Sequence, residues 1–199
     1  IVSNEGPLPF HAAAGYVALA ADALAHAHEQ GIEHHGVRPD RLRLDQKGEL
    51  KFLDIGVAGL VDPNQESSIQ YKDPFEVDYL SPEQATGKNK VDYRADIYSL
   101  GCTLFFLVTG RPPYSGGTIE KRLRARIRKQ PRRITKFQPN APKGIVDICA
   151  RMMATQPRER ITTASEVRQL LQNWLQANPE EIPAEISGIN LQGPRAGMT

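Results

Sequence analysis

A chain of 199 residues, 40% hydrophobic and 24% charged, has the composition of a globular domain and is long enough to bury roughly 70% of its unfolded surface. Its formal net charge of +2 excludes a global electrostatic pull toward nucleic acid or membrane, and no run reaches the ~18 apolar residues of a membrane span. The two cysteines, Cys102 and Cys149, fall in apolar helical patterns and read as buried free thiols. With no signal peptide, they point to a reducing, cytoplasmic compartment.

Residues 1–10 form a lead-in, where Gly6-Pro7-Leu8-Pro9 works against helix. From about His11 to Gln30 an alanine-rich stretch predicts a central buried helix, with Val17, Ala21 and Leu24 on one face and Gly31 closing it. His26 and His28 read as packing or surface residues rather than ligands. A hairpin follows, with Leu42 and Leu44 on one strand, Leu50, Phe52 and Leu53 on the other, and a turn at Asp45-Gln46-Lys47-Gly48. Val57 to Leu80 is long, polar and without period, which marks a functional or mobile loop. Its Ser67 and Ser68 are either phosphate acceptors or ordinary loop serines.

Tyr93 to Thr109 is apolar nearly all round and should be the core of the fold, stopped by Gly110-Arg111-Pro112-Pro113. Thr118 caps a third helix to about Lys129, with Ile119, Leu123 and Ile127 as its inner stripe. Pro142 opens a fourth to about Ala154, with Ile145, Ile148, Cys149 and Met152 inside. Thr163 or Ser165 caps a fifth to about Gln176, carrying Val167, Leu170, Leu171 and Trp174. Residues 178–199, rich in Pro, Gly and Asn, read as linker or a weakly docked tail. The expected division is therefore lead-in 1–10, helical unit 11–177 and tail 178–199.

Five motifs occur in order. His34-His35-Gly36-Val37-Arg38-Pro39-Asp40-Arg41 is followed, after the hairpin, by Asp54-Ile55-Gly56. Then come Ser81-Pro82-Glu83, Asp96-Ile97-Tyr98-Ser99-Leu100-Gly101 with Thr109-Gly110-Arg111-Pro112-Pro113-Tyr114, and Pro157-Arg158-Glu159-Arg160. Over about residues 5–176 this series resembles the C-terminal lobe of bacterial-type serine/threonine protein kinases. The resemblance implies a mainly α lobe with a small hairpin, from an α+β family fold. It also implies that His34 and Asp96 brace the loop backbone, and that Arg160 pairs with Glu83. The smaller lobe of that family, with its glycine-rich loop, lysine strand and glutamate helix, precedes the matched region and is absent from these 199 residues. A first residue of Ile1 rather than Met fits a fragment of a longer parent. If no smaller lobe exists, the face around His34, Leu42 and Ile55 is expected to be covered by the tail, the lead-in or a second copy.

The family's chemistry is altered at each working position. The loop aspartate that accepts the substrate proton is Gly36, which has no side chain. The metal-binding asparagine is Arg41, a fixed cation where a cation ligand belongs; two like charges about 4 Å apart repel by roughly 4 kcal/mol at an effective dielectric of about 20. Arg38 replaces the lysine, keeping charge but not geometry. His35 stands for the loop arginine, either steadying the long loop or packing as a neutral ring. Phe75-Glu76 replaces Gly-Thr, and Asp54 is a lone vestige of the metal site. By charge sign, Arg41 is expected to pair with Asp54, and Glu76 with Arg38.

The third helix is strongly basic, and Arg122, Arg126 and Lys129 are its candidate partner-binding residues. It is either a solvated face or a dock for an acidic or phosphate-bearing partner. No aromatic residue interleaves there, so nucleic acid is not expected. The resulting expectation is a pseudokinase lobe that binds or scaffolds protein partners in signalling and takes no cofactor and no metal. The alternative is a kinase fragment that binds ATP and magnesium once a smaller lobe is supplied.

Overall fold

The computed structural model describes residues 6–45, 50–53, 73–87 and 91–179. The hairpin turn beyond Asp45, the Asp54-Ile55-Gly56 motif, Ser67 and Ser68, most of the tail and the first five residues lie outside that set. Among the described residues the order is α1 (Phe10–Glu29), β1 (Leu42–Leu44), β2 (Leu50–Phe52), α2 (Pro74–Val77), α3 (Pro82–Thr86), α4 (Arg94–Thr109), α5 (Ile119–Arg128), α6 (Lys143–Met152) and α7 (Ala164–Ala177). Short 3-10 turns occupy Pro39–Arg41, Ile134–Lys136 and Pro157–Glu159. The result is mainly helical with one two-stranded antiparallel sheet, in which Leu42 faces Phe52 and Leu44 faces Leu50.

Helix α4 is the axis of the core. Almost all of its residues are buried, from Ala95 through Thr109 with Phe106 half-buried. Its serine and threonine hydroxyls at Ser99, Thr103 and Thr109 donate to carbonyls one turn earlier, so none of the three strands a donor in the core. The helix ends at Gly110, whose φ of 71° is the left-handed geometry that lets its N–H reach the Phe106 carbonyl at 2.8 Å. Alanines let α1 approach closely; it packs along α7 and α4 and buries Val17, Ala21 and Leu24 completely. Each such leucine or valine side chain is worth about 1.5–3 kcal/mol.

Helix α6 closes the far side of α4 with Ile145, Ile148, Cys149 and Met152. Both cysteines are free and buried; burial pushes the Cys102 thiol up to about 11 and the Cys149 thiol higher still. Helix α7 starts at Thr163, whose hydroxyl accepts the Glu166 N–H at 3.1 Å. Leu42, Leu50 and Phe52 pack against the core from the hairpin, whereas Leu53 turns out to solvent. Among the described residues no helix is long and apolar enough to cross a membrane.

The α4–α6 contact gives a direct stability test. A Cβ added to Gly101 would lie 2.8 Å from both Met152 Cβ and Met153 Cγ. Gly101→Ala gains helix propensity, but the overpacking outweighs it, and a net loss of about 1–3 kcal/mol is expected. Urea unfolding should show a lower midpoint with an unchanged m-value.

Candidate functional site

The site is a loop hung from one carboxylate. Asp96, in the first turn of α4, is fully buried. Its Oδ2 accepts the His34 backbone N–H at 2.9 Å, and its Oδ1 accepts the His35 backbone N–H at 2.6 Å. His28, in the last turn of α1, reaches Oδ2 through Nε2 at 2.9 Å. Three donors thus satisfy a charge that would otherwise be costly to bury. His35 takes a left-handed φ of 55°, which turns the chain sharply into Gly36. On the other side, Gln84 of α3 donates Nε2 to the His35 carbonyl at 2.8 Å. The same Gln84 closes a capping box with Ser81, accepting the Ser81 N–H at 2.9 Å while Ser81 Oγ accepts the Gln84 N–H. The loop is therefore fixed from two helices.

His34 is 2% exposed, and its two ring nitrogens have no hydrogen-bond partner. Its ring meets Phe52 edge-on, with centroids 5.1 Å apart. His34 is thus already covered within the lobe and Leu42 is half-buried, so the uncovered face expected around them is smaller than the sequence suggests; Ile55 is outside the described residues. His35 Nε2 lies 2.9 Å from Glu33 Oε2.

At Gly36 the nearest atoms to an added Cβ are His34 Nδ1 at 3.7 Å, Cε1 at 3.8 Å and the His34 carbonyl at 3.9 Å. Those are ordinary contacts, so a Cβ fits at this position of the loop. Arg38 folds back onto acids of this chain: Nη1 donates to Asp73 Oδ2 at 3.0 Å, and Nε lies 3.1 Å from Asp40 Oδ1. Its guanidinium also sits over the Phe75 ring. The Phe75 N–H and the Arg38 guanidinium hold Asp73 below the usual carboxylate range.

The expected Glu76–Arg38 pair does not form. Glu76 is exposed, while Asp73, the N-cap of α2, lies within reach of Arg38 and takes its place. Arg41 anchors the sheet through its carbonyl, which accepts the Leu53 N–H at 2.8 Å; its expected partner Asp54 lies outside the described residues. At the described positions Gly36 offers no side-chain oxygen and Arg41 carries a guanidinium, while Asp54 lies outside the described residues.

Below the loop, Arg160 and Glu83 form a buried two-pronged pair, Nη1 to Oε1 at 2.6 Å and Nη2 to Oε2 at 2.7 Å. The remaining donors of Arg160 reach the carbonyls of Ala154, Thr155 and Arg94, and its plane lies over Tyr98. This ties α3 to the turn before α7 with every N–H used.

The basic helix is partly turned inward. Arg122 donates to both oxygens of Asp78 at 2.8 and 2.9 Å. Desolvation keeps the Asp78 carboxyl above its usual range against the pull of Arg122 and Arg126. Arg126 is fully buried between Tyr98 and Tyr114, with Nη1 on the Leu80 carbonyl and Nε and Nη2 unpartnered. As partner-binding candidates Arg122 and Arg126 are thus corrected: both serve the interior, and of the three only Lys129 is exposed. The inner stripe is Ile119, Arg122, Leu123 and Arg126 rather than one ending at Ile127, because the aromatic pair and the Leu80 carbonyl hold a guanidinium where an isoleucine was expected.

Sequence reasoning did not assign Gln84, Asp73 or the bond from His28 to Asp96. The Ser81-x-x-Gln84 spacing is a legible capping signal; the other two depend on partners 35 and 68 residues away and leave no local trace.

The protein kinase domain family matches residues 1–175. The chain belongs to that family. This kinase-family chain is 31% identical over 207 residues to the serine/threonine-protein kinase PknB of Mycobacterium tuberculosis, covering 98% of the chain and 33% of that protein. It is 33% identical over 172 residues to a probable serine/threonine-protein kinase of Corynebacterium efficiens, covering 84% of the chain and 26% of that protein. A probable PknB of Bifidobacterium longum is 34% identical over 148 residues, covering 74% and 21%. The chain spans a third or less of the length of these relatives. Its helices and hairpin are those of a kinase-like C-terminal lobe.

Asp96→Asn places an amide N–H₂ against one of the donors that now share the carboxylate, and a loss of about 3 kcal/mol is expected in urea unfolding. His34→Phe removes two stranded polar atoms from a buried ring at similar shape, and the variant should unfold at the same urea concentration or a higher one.

Proposed function

We propose that this lobe has given up phosphoryl transfer and works as a protein-binding or scaffolding module in signalling. The observation that carries the reading is Gly36: the loop frame is held by Asp96 and Gln84, and the one position that must accept a proton has no side chain. Two further features support it. Arg41 adds positive charge where a divalent ion would be held, and Arg38 is engaged by Asp73 and Asp40 instead of facing a phosphate. On this reading no nucleotide and no metal are required, the partner is a protein, and the compartment is the cytoplasm.

Two observations favour a second reading. The relatives carry the names of serine/threonine-protein kinases, and the space beside Gly36 accepts a Cβ without displacement. A kinase that binds ATP and magnesium with residues of a smaller lobe, and moves phosphate by a different base, is the alternative.

The full-length protein that carries this segment separates them. In thermal unfolding with ATP and magnesium, a ligand at about 100 times its dissociation constant would add about 2.7 kcal/mol; no shift is expected. Incubation with labelled ATP is expected to leave every protein in the mixture unlabelled. Gly36→Asp should fold with stability within about 1 kcal/mol of wild type, since the space is present. Phosphate transfer by the unaltered protein, with Gly36 in place, would overturn the reading.

A further inference from the structure

Helix α5 divides its basic side chains between two faces. Ile119, Arg122, Leu123 and Arg126 follow at i, i+3, i+4 and i+7 and face inward. The remaining cations of the helix, Lys121, Arg124 and Arg128, are exposed, and Lys129, Arg132 and Arg133 continue the same charge beyond its end. Glu120 is the single acid between residues 119 and 136. Ile127, 38% exposed, lies at the edge of that outer face in the last turn of the helix, with Leu123 at i−4 and Arg124 at i−3. A large apolar side chain left exposed beside a row of cations is an unusual use of surface. The i,i+4 spacing of Arg124 and Arg128 also carries a like-charge repulsion, offset at Arg124 by Glu120 one turn earlier.

The platform is rigid. Thr118 caps the helix, Arg122 grips Asp78, and the Tyr114 hydroxyl donates to the Lys129 carbonyl at 2.7 Å. Little ordering cost remains to be met on binding.

We propose that this outer face docks an acidic protein segment bearing one apolar anchor. Its carboxylates would meet Arg124, Arg128 and the neighbouring cations, and the anchor would cover Ile127. The proposal rests on the binding-module reading for its purpose, though not for its geometry. An exposed apolar side chain next to a row of charges suits a protein contact, in which an apolar anchor and charged groups are met together. It serves no phosphate backbone, and residues 119–136 contain no aromatic side chain on which a base could stack.

The test uses the full-length protein and fluorescence anisotropy with a short labelled peptide of alternating acidic and small residues around a central leucine. Controls are the same peptide with serine for leucine, an RNA oligomer of equal charge, and phosphatidylserine vesicles. Arg124→Glu combined with Arg128→Glu should weaken the leucine peptide by about tenfold or more, and rising salt should weaken it as well. Ile127→Ser should weaken the leucine peptide by about fivefold and leave the serine peptide unchanged, a coupling that charge alone cannot produce. All three positions are exposed, so melting midpoints should stay near wild type. The docking surface is overturned if the charge-reversed protein binds as wild type does, if leucine and serine peptides bind alike, or if RNA or vesicles bind more tightly than the peptide. Phosphate transfer by the same preparation would remove the non-catalytic reading and leave the docking result standing. Absent peptide binding without phosphate transfer would remove the docking surface alone.

Discussion

The Asp96 carboxylate is the constraint on which the rest depends. It lies in the core helix, fully desolvated, and would be untenable there without donors. The chain supplies them from two backbone amides of the loop and one histidine of α1. Satisfying the charge therefore fixes the loop's path and joins α1, the loop and α4 in one step. None of these bonds involves the side chains that phosphoryl transfer needs. The frame can persist while positions 36, 38 and 41 change, and a glycine at position 36 leaves the fold intact.

Two buried arginines show different solutions to one electrostatic problem. Arg160 meets a carboxylate with two parallel bonds and spends its other donors on carbonyls. Arg126 has one carbonyl, two aromatic faces and a distant thiol, and leaves two nitrogens without partners. The first pair is geometrically complete, so removing either partner strands a charge. The second relies on the quadrupoles of Tyr98 and Tyr114, which turn a basic side chain into part of the interior.

Much of the architecture was legible because it rests on short-range patterns. The alanine-rich run of α1, the all-round apolar α4 with its glycine stop, and the cap of α7 at Thr163 or Ser165 predict helices that the structure places within a residue or two, Thr163 being the cap. Helices α2 and α3 were missed: at four and five residues they have no period to read, only caps at Asp73 and Ser81. The motif order put His34, Arg38 and Arg41 into one loop, yet charge sign alone chose Glu76 for Arg38, when proximity gives Asp73. Hydropathy likewise assigned Ile127 inward and the arginines outward on α5. It could not register that two tyrosines and a carbonyl would be waiting for a guanidinium.

The two buried thiols carry a consequence for observing this molecule. Burial pushes the Cys102 thiol up to about 11, so electrophiles meet an unreactive sulfur inside a closed core. Alkylation must then wait for α4 and α6 to separate. The rate at which a maleimide modifies this chain becomes a clock for how often its centre opens, with no probe introduced and no residue changed.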